Sequence, residues 1–123
     1  MPTPIRTAQS TVTALTDAYG STAWVLPRWG RRLDSVDLHL TAIAGATTIT
    51  WFLAEDAAGE KTLTPATTST IGDHDSDGTG SVSAVIGRYI VSANNMVTTI
   101  YLFAKTNAGT ANLAITSGVV VCA

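Results

Sequence analysis

Few residues in this chain carry reactive chemistry, and the densest group of them is "GDHDSDG" at positions 72 to 78, which sets Asp73, Asp75 and Asp77 at alternate places and closes on Gly78. That is the first half of a calcium loop, in which alternate carboxylates turn toward one cation and the glycine permits the sharp bend. The second half is missing. The twelfth position, where a bidentate glutamate should close the site, is Ala84, and its surroundings, "SVSAVIG", read as a strand and not a helix. The stretch therefore reads as a polar turn whose carboxylates repel one another, with Gly78 and Gly80 supplying turn geometry. No cofactor is expected; calcium on Asp73, Asp75 and Asp77 is the alternative.

Catalytic groupings are equally thin. His39 and His74, the two imidazoles, stand 35 positions apart, one on the polar face of a strand pattern and one in the aspartate stretch. No nucleophile elbow, phosphate loop, zinc-binding His pair or dinucleotide fingerprint occurs. Asp34 and Asp37 differ by an odd number of positions, which predicts opposite faces of a strand. Glu55, Asp56 and Glu60 beside Lys61 read as a solvated hairpin tip. Cys122 is the single cysteine, so an internal disulfide and a cysteine zinc cage are both excluded. A non-enzymatic protein is the expectation.

Binding chemistry concentrates in "WVLPRWGRR", residues 24 to 32, which unites Trp24 and Trp29 with Arg28, Arg31 and Arg32. Trp and Arg dominate binding energy at interfaces because each combines area with hydrogen bonding or stacking. One reading makes this a contact loop bent by Pro27 and Gly30; the other has Trp24 plug the core while arginine stems cover its rim. Trp29, Trp51, Tyr89 and Tyr101 are the rings available to a sugar, three of them inside strand patterns. Nucleic acid is not an expected partner, since the net charge is −2 and the basic turn is isolated.

The elements that must position these residues are strands. Short runs rich in Thr, Val, Ile and aromatics alternate with Gly, Pro, Asn or Asp clusters, at 10–16, 22–27, 36–43, 47–54, 67–71, 81–87, 88–92, 97–105, 111–117 and 119–122. "VDLHLTAI" alternates strictly, with Val36, Leu38 and Leu40 on one face. "TTITWFLA" collects Ile49, Trp51 and Leu53 on one face and leaves Phe52 opposite, where a neighbouring subunit could meet it. "AGA" at 44–46 reads as a hairpin turn between these two. No window has a helical apolar period; only 10–19 would tolerate a helical turn. About 8 to 10 short antiparallel strands predict an all-β fold, a β-sandwich of jelly-roll-like form, because stacked sheets give each an apolar face to bury.

An internal echo joins "TTITWFLAEDAAGEKTL" (47–63) to "TTIYLFAKTNAGTANL" (98–113) when Thr50 is treated as an insertion. It suggests two equivalent hairpins, one per sheet, turning at Gly59 and Gly109. Residues 1–9, with Pro2 and Pro4, predict a flexible arm, and 10–123 a single domain. The ending "GVVVCA" would be hazardous as an exposed edge, so Val119, Val120 and Val121 are expected in an oligomer contact or a central strand.

Of the 123 residues 13% are charged, about half the usual share, so the surface should be neutral and partly covered by neighbours. No apolar run reaches the ~20 residues of a membrane helix, and the first ten residues lack the apolar core of a signal peptide. Cytoplasmic synthesis and no membrane partner are expected.

The segments "ITWFLAEDAAGEKTLTP", "DGTGSVSAVIGRYIV" and "IYLFAKTNAGTANLAIT", spanning 47 to 116, resemble the small all-β structural proteins of tailed bacteriophages. In particular they resemble capsid decoration (cement) proteins of jelly-roll type. That resemblance implies a homodimer or homotrimer in the virion, bound to the outside of the major capsid protein shell and stabilising it, with no catalytic or cofactor residues. A receptor- or carbohydrate-binding sandwich of a phage tail or surface protein is the alternative.

Overall fold

The computed structural model describes residues 3–26, 30–72, 78–89 and 98–122. These form eight strands: β1 (Thr3–Leu15), β2 (Gly20–Leu26), β3 (Gly30–Ala44), β4 (Thr48–Ala54), β5 (Thr67–Thr70), β6 (Gly80–Tyr89), β7 (Thr98–Thr106) and β8 (Thr110–Cys122). They make two four-stranded antiparallel sheets, in the orders β1-β8-β3-β6 and β2-β7-β4-β5. The pairing has a simple origin. β1 with β8, β2 with β7, β3 with β6 and β4 with β5 are the rungs of one long hairpin folded about residues 55–66. Rolling that hairpin up adds the contacts of β3 with β8 and β4 with β7. This is the jelly-roll connectivity of an all-β sandwich.

The roll forms because both inner faces are apolar at period two. Leu33, Val36, Leu38 and Leu40 of β3, with Leu113 and Ile115 of β8, face Ile49, Trp51 and Leu53 of β4 and Ile100 and Leu102 of β7; all are buried. The face assignments for Val36, Leu38, Leu40 and for Ile49, Trp51, Leu53 hold. A register shift between Leu33 and Ser35 lets Leu33 and Val36, three positions apart, both point inward. Parity does not carry across such a shift, so the inference that Asp34 and Asp37 lie on opposite faces fails.

The structure corrects four other expectations. Residues 3–9 of the expected flexible arm belong instead to a paired strand: Thr3 sits opposite Cys122, Pro4 opposite Val121 and Ile5 opposite Val120. Proline is tolerated there because β1 is an edge strand and can lack one donor. The ten short runs give eight strands: 81–87 continues through Tyr89 in β6, and 111–117 joins 119–122 in β8, while residues 90–92 lie outside the described residues. "AGA" is not a hairpin turn; β3 and β4 lie in different sheets, face to face, a placement period two permits equally well. Residues 107–109 are likewise a crossing between sheets, not the tip of a hairpin within one.

The two crossings, 44–47 and 107–109, lock together. Asn107 accepts at Oδ1 from the N–H groups of Thr47 and Thr48, at 3.0 and 3.2 Å, and donates from Nδ2 to Thr47 Oγ1 at 3.1 Å. Thr106 Oγ1 donates to the Gly109 carbonyl at 3.1 Å. Gly109 has a φ of 68°, and a Cβ there would overlap the Ala44 carbonyl oxygen. Only glycine fits.

Candidate interaction surface

Where the inner face of the β2-β7-β4-β5 sheet is aliphatic, its outer face is aromatic. Alternation turns Phe52 of β4 and Tyr101, Phe103 and Lys105 of β7 outward, half-buried, between the buried Leu53, Leu102 and Ala104. The register sets Phe52 directly opposite Phe103. Their rings stack with centroids 4.9 Å apart and planes 2° from parallel. Tyr19, in the turn before β2, meets Phe52 edge-on at 5.4 Å and carries Lys105 Nζ over its own face at 4.7 Å. Such contacts add about 0.5–1.5 kcal/mol each beyond area burial. The loop 55–63 closes one side: Lys61 N–H donates to Asp56 Oδ1 at 2.9 Å, and Gly59 packs close to the Phe103 ring.

What remains open is a ring-bearing wall that carries the Lys105 cation. Tyr19 is 43% exposed and Val25 of β2 is 49% exposed. Toward the other edge of the same sheet Thr50 and Thr68 join their hydroxyls at 2.9 Å across β4 and β5. The wall offers planar apolar area, hydroxyl groups and one nearby ammonium, which suits docking against a protein or a sugar ring.

The predicted contact residues fare differently. Trp24 is fully buried in β2, and among the described residues its Nε1 has no hydrogen-bond partner. It is a core residue and not a contact residue, because inward alternation on β2 carries the ring between the sheets. Arg28 and Trp29 lie outside the described residues, and Arg31 is described only as backbone of β3. Arg32 makes an ion pair with Asp34, Nε to Oδ1 at 2.6 Å, both side chains a little over one-third exposed. Its charge is thus already matched within its own strand.

Trp51 is 3% exposed and donates Nε1–H to Ser69 Oγ at 3.0 Å, so it is no sugar platform. Tyr101 is half-buried on the outer wall; the side chain of Tyr89 and all of His74 lie outside what is described. His39 is exposed on the outer face of β3. Val119, Val120 and Val121 are paired on both sides, with Arg6, Ile5 and Pro4 of β1 and with Ser35, Leu33 and Arg32 of β3. The central-strand alternative holds, and the exposed-edge premise for an oligomer contact there fails.

Among the described residues no group of three or more His, Cys, Asp or Glu side chains could hold a metal ion. Asp73, Asp75 and Asp77 lie outside the described residues. The sequence did signal one part of the wall, in the outward placement of Phe52. It gave no sign of the Phe103 stack or of Tyr19, which meet Phe52 only through pairings about 50 and 30 residues away in sequence.

No family model matches the sequence, and no curated protein matches it. In strand arrangement the chain is similar to a chain in the structure of infectious bursal disease virus Gt strain, 7% identical over 98% of this chain, TM-score 0.49. It is also similar to a chain of the infectious bursal disease virus VP2 subviral particle, 10% identical over 98% of this chain, TM-score 0.49. A chain of the Kashmir bee virus empty particle at acidic pH is 14% identical over 98% of this chain and 89% of its own length, TM-score 0.35. This chain spans about a third of the two bursal disease virus chains, 31% and 32% of their lengths.

Proposed function

We propose that this chain is a virion structural protein: a capsid decoration (cement) protein that binds the outside of a major capsid protein shell and stabilises it. The observation that carries the reading is the outer wall of the β2-β7-β4-β5 sheet, where Tyr19, Val25 and the Phe52–Phe103 stack form a preorganised face in a chain with only 13% charged residues. A face of rigid rings loses little side-chain entropy on docking, and rings surrounded by hydroxyls make good interface centres. The resemblance of residues 47–116 to phage decoration proteins supports the same reading. On it, the chain is made in the host cytoplasm and ends on the capsid surface.

The test is co-sedimentation of the full chain with assembled shells. Saturable binding, a raised temperature of shell opening and about tenfold weaker binding by Tyr19→Ala are expected. Failure to co-sediment at any ratio overturns the proposal. The exposed Tyr19 ring also favours a second reading, a receptor- or carbohydrate-binding module. Glycan binding that Tyr19→Ala abolishes, with no shell binding, would establish that reading in place of the first.

A further inference from the structure

The two sheets are tied together at one end of their open side. There Gly72 and Ser81 exchange both main-chain hydrogen bonds, each 2.8 Å. Beyond that bridge the edges of β5 and β6 part and enclose a groove of about 230 Å3, lined by Trp51, Pro65 and Thr67 from one sheet and Ala84, Val85 and Ile86 from the other. Every described residue lining it is uncharged. Val85, 90% exposed, stands at its lip.

In an antiparallel strand a residue turns its N–H and C=O to the same side, and alternate residues turn to opposite sides. Ser81 turns both toward Gly72, away from β3, so Ser83 and Val85 present theirs to the same open edge. Edge strands usually carry a charge, a proline or a truncation that blocks pairing with other chains. β1 has Pro4 and Arg6, and β5 is four residues long. β6 carries Arg88 and a register shift only past Val85, and has none of these devices across 80–85, "GSVSAV".

We propose that β6 is a dimerisation edge, on which the β6 strand of a second copy pairs antiparallel about a two-fold axis at Ala84. The occupant must be an uncharged extended strand with free donors and acceptors of its own, and the same edge of another copy meets each requirement. Ser83 then lies opposite Val85 of the second copy and Val85 opposite Ser83, exchanging four main-chain hydrogen bonds. The pairing stops short of Ser81, already engaged by Gly72, and of Gly87, whose φ of 63° leaves strand geometry. The incoming Ala84 and Val82 come to lie beside Ala84 and Ile86, roofing the groove with uncharged side chains.

Sedimentation equilibrium of the full chain tests this, with thermal melts to verify folding. The chain is expected to dimerise. Val85→Lys and Val85→Glu each place like charges across the axis and should weaken self-association by about tenfold or more with unchanged melting, since Val85 is solvent-exposed. Mixing the two variants should restore the dimer. Amide exchange at Ser83 and Val85 should slow with concentration in the unmodified chain only. A monomer at all concentrations overturns the proposal, as does a dimer that both variants leave intact. If the variants fail to fold, concentration-independent exchange at Ser83 and Val85 overturns it by itself.

Discussion

Segments 47–63 and 98–113 read almost alike, yet the roll uses them in opposite ways. Aligned through the extra Thr50, Ile49 and Ile100 match, and both are buried. Past that point the next three aligned pairs split. Trp51 points into the core while Tyr101 points out; Phe52 points out while Leu102 points in; Leu53 is buried while Phe103 joins the outer stack. One inserted residue exchanges the faces of everything after it, because side chains alternate with a period of two. The strands are not equivalent members of two sheets. They are neighbours in one sheet, and their aromatic residues form its outer wall.

The two glycines differ as well. Gly59 sits in a loop over the Phe103 ring, where a Cβ would approach the ring to 3.1 Å. Gly109 is pressed against backbone at the crossing between sheets. An aromatic side chain can tilt away, and a carbonyl in a paired strand cannot. Gly109→Ala is therefore expected to give the largest effect, more than about 3 kcal/mol of lost stability or failure to fold, read by urea unfolding. A Gly109→Ala protein as stable as the parent would show that the crossing is not clamped.

Trp51→Tyr comes next. It removes buried ring volume and the Nε1–H bond to Ser69, with an expected cost of about 2–3 kcal/mol in the same measurement. Gly59→Ala should cost about 1 kcal/mol, mostly for holding alanine at a φ of 76°. A Gly59→Ala loss equal to that of Gly109→Ala would mean that the two turns are structurally equivalent after all.

Much of this was legible in the sequence because it is local. Alternation in "VDLHLTAI" and "TTITWFLA" gave the inner faces, and Gly and Asp clusters gave the breaks. What it did not reveal depends on partners far along the chain. Whether β3 and β4 form a hairpin or face each other depends on β6 and β8, which flank β3. The shift between Leu33 and Ser35 is equally invisible, since it answers to β6 and β8 and not to its own residues. The "GVVVCA" hazard was read correctly, and its resolution, two paired edges, needed β1 to begin at Thr3. The candidate site was the least legible part, because a stack such as Phe52 on Phe103 exists only once two strands have taken neighbouring places.

The smallest expected effect is the sharpest test of the flipped faces. Tyr101→Trp copies into the second segment the residue that the first segment buries at the aligned position. If the segments were equivalent, Tyr101 would lie in the core, and a larger ring there would overpack it at a cost of about 1–3 kcal/mol. On the outer wall the new ring finds solvent on one side and Ala23 and Ala54 as its cross-strand neighbours, so the change should stay within about 0.5 kcal/mol. Tryptophan fluorescence gives an independent reading of the same placement: the added ring should emit as a solvent-exposed indole, red-shifted from the buried Trp24 and Trp51. A destabilised variant whose added emission is blue would place Tyr101 inside, and the one-residue flip between the segments would be wrong.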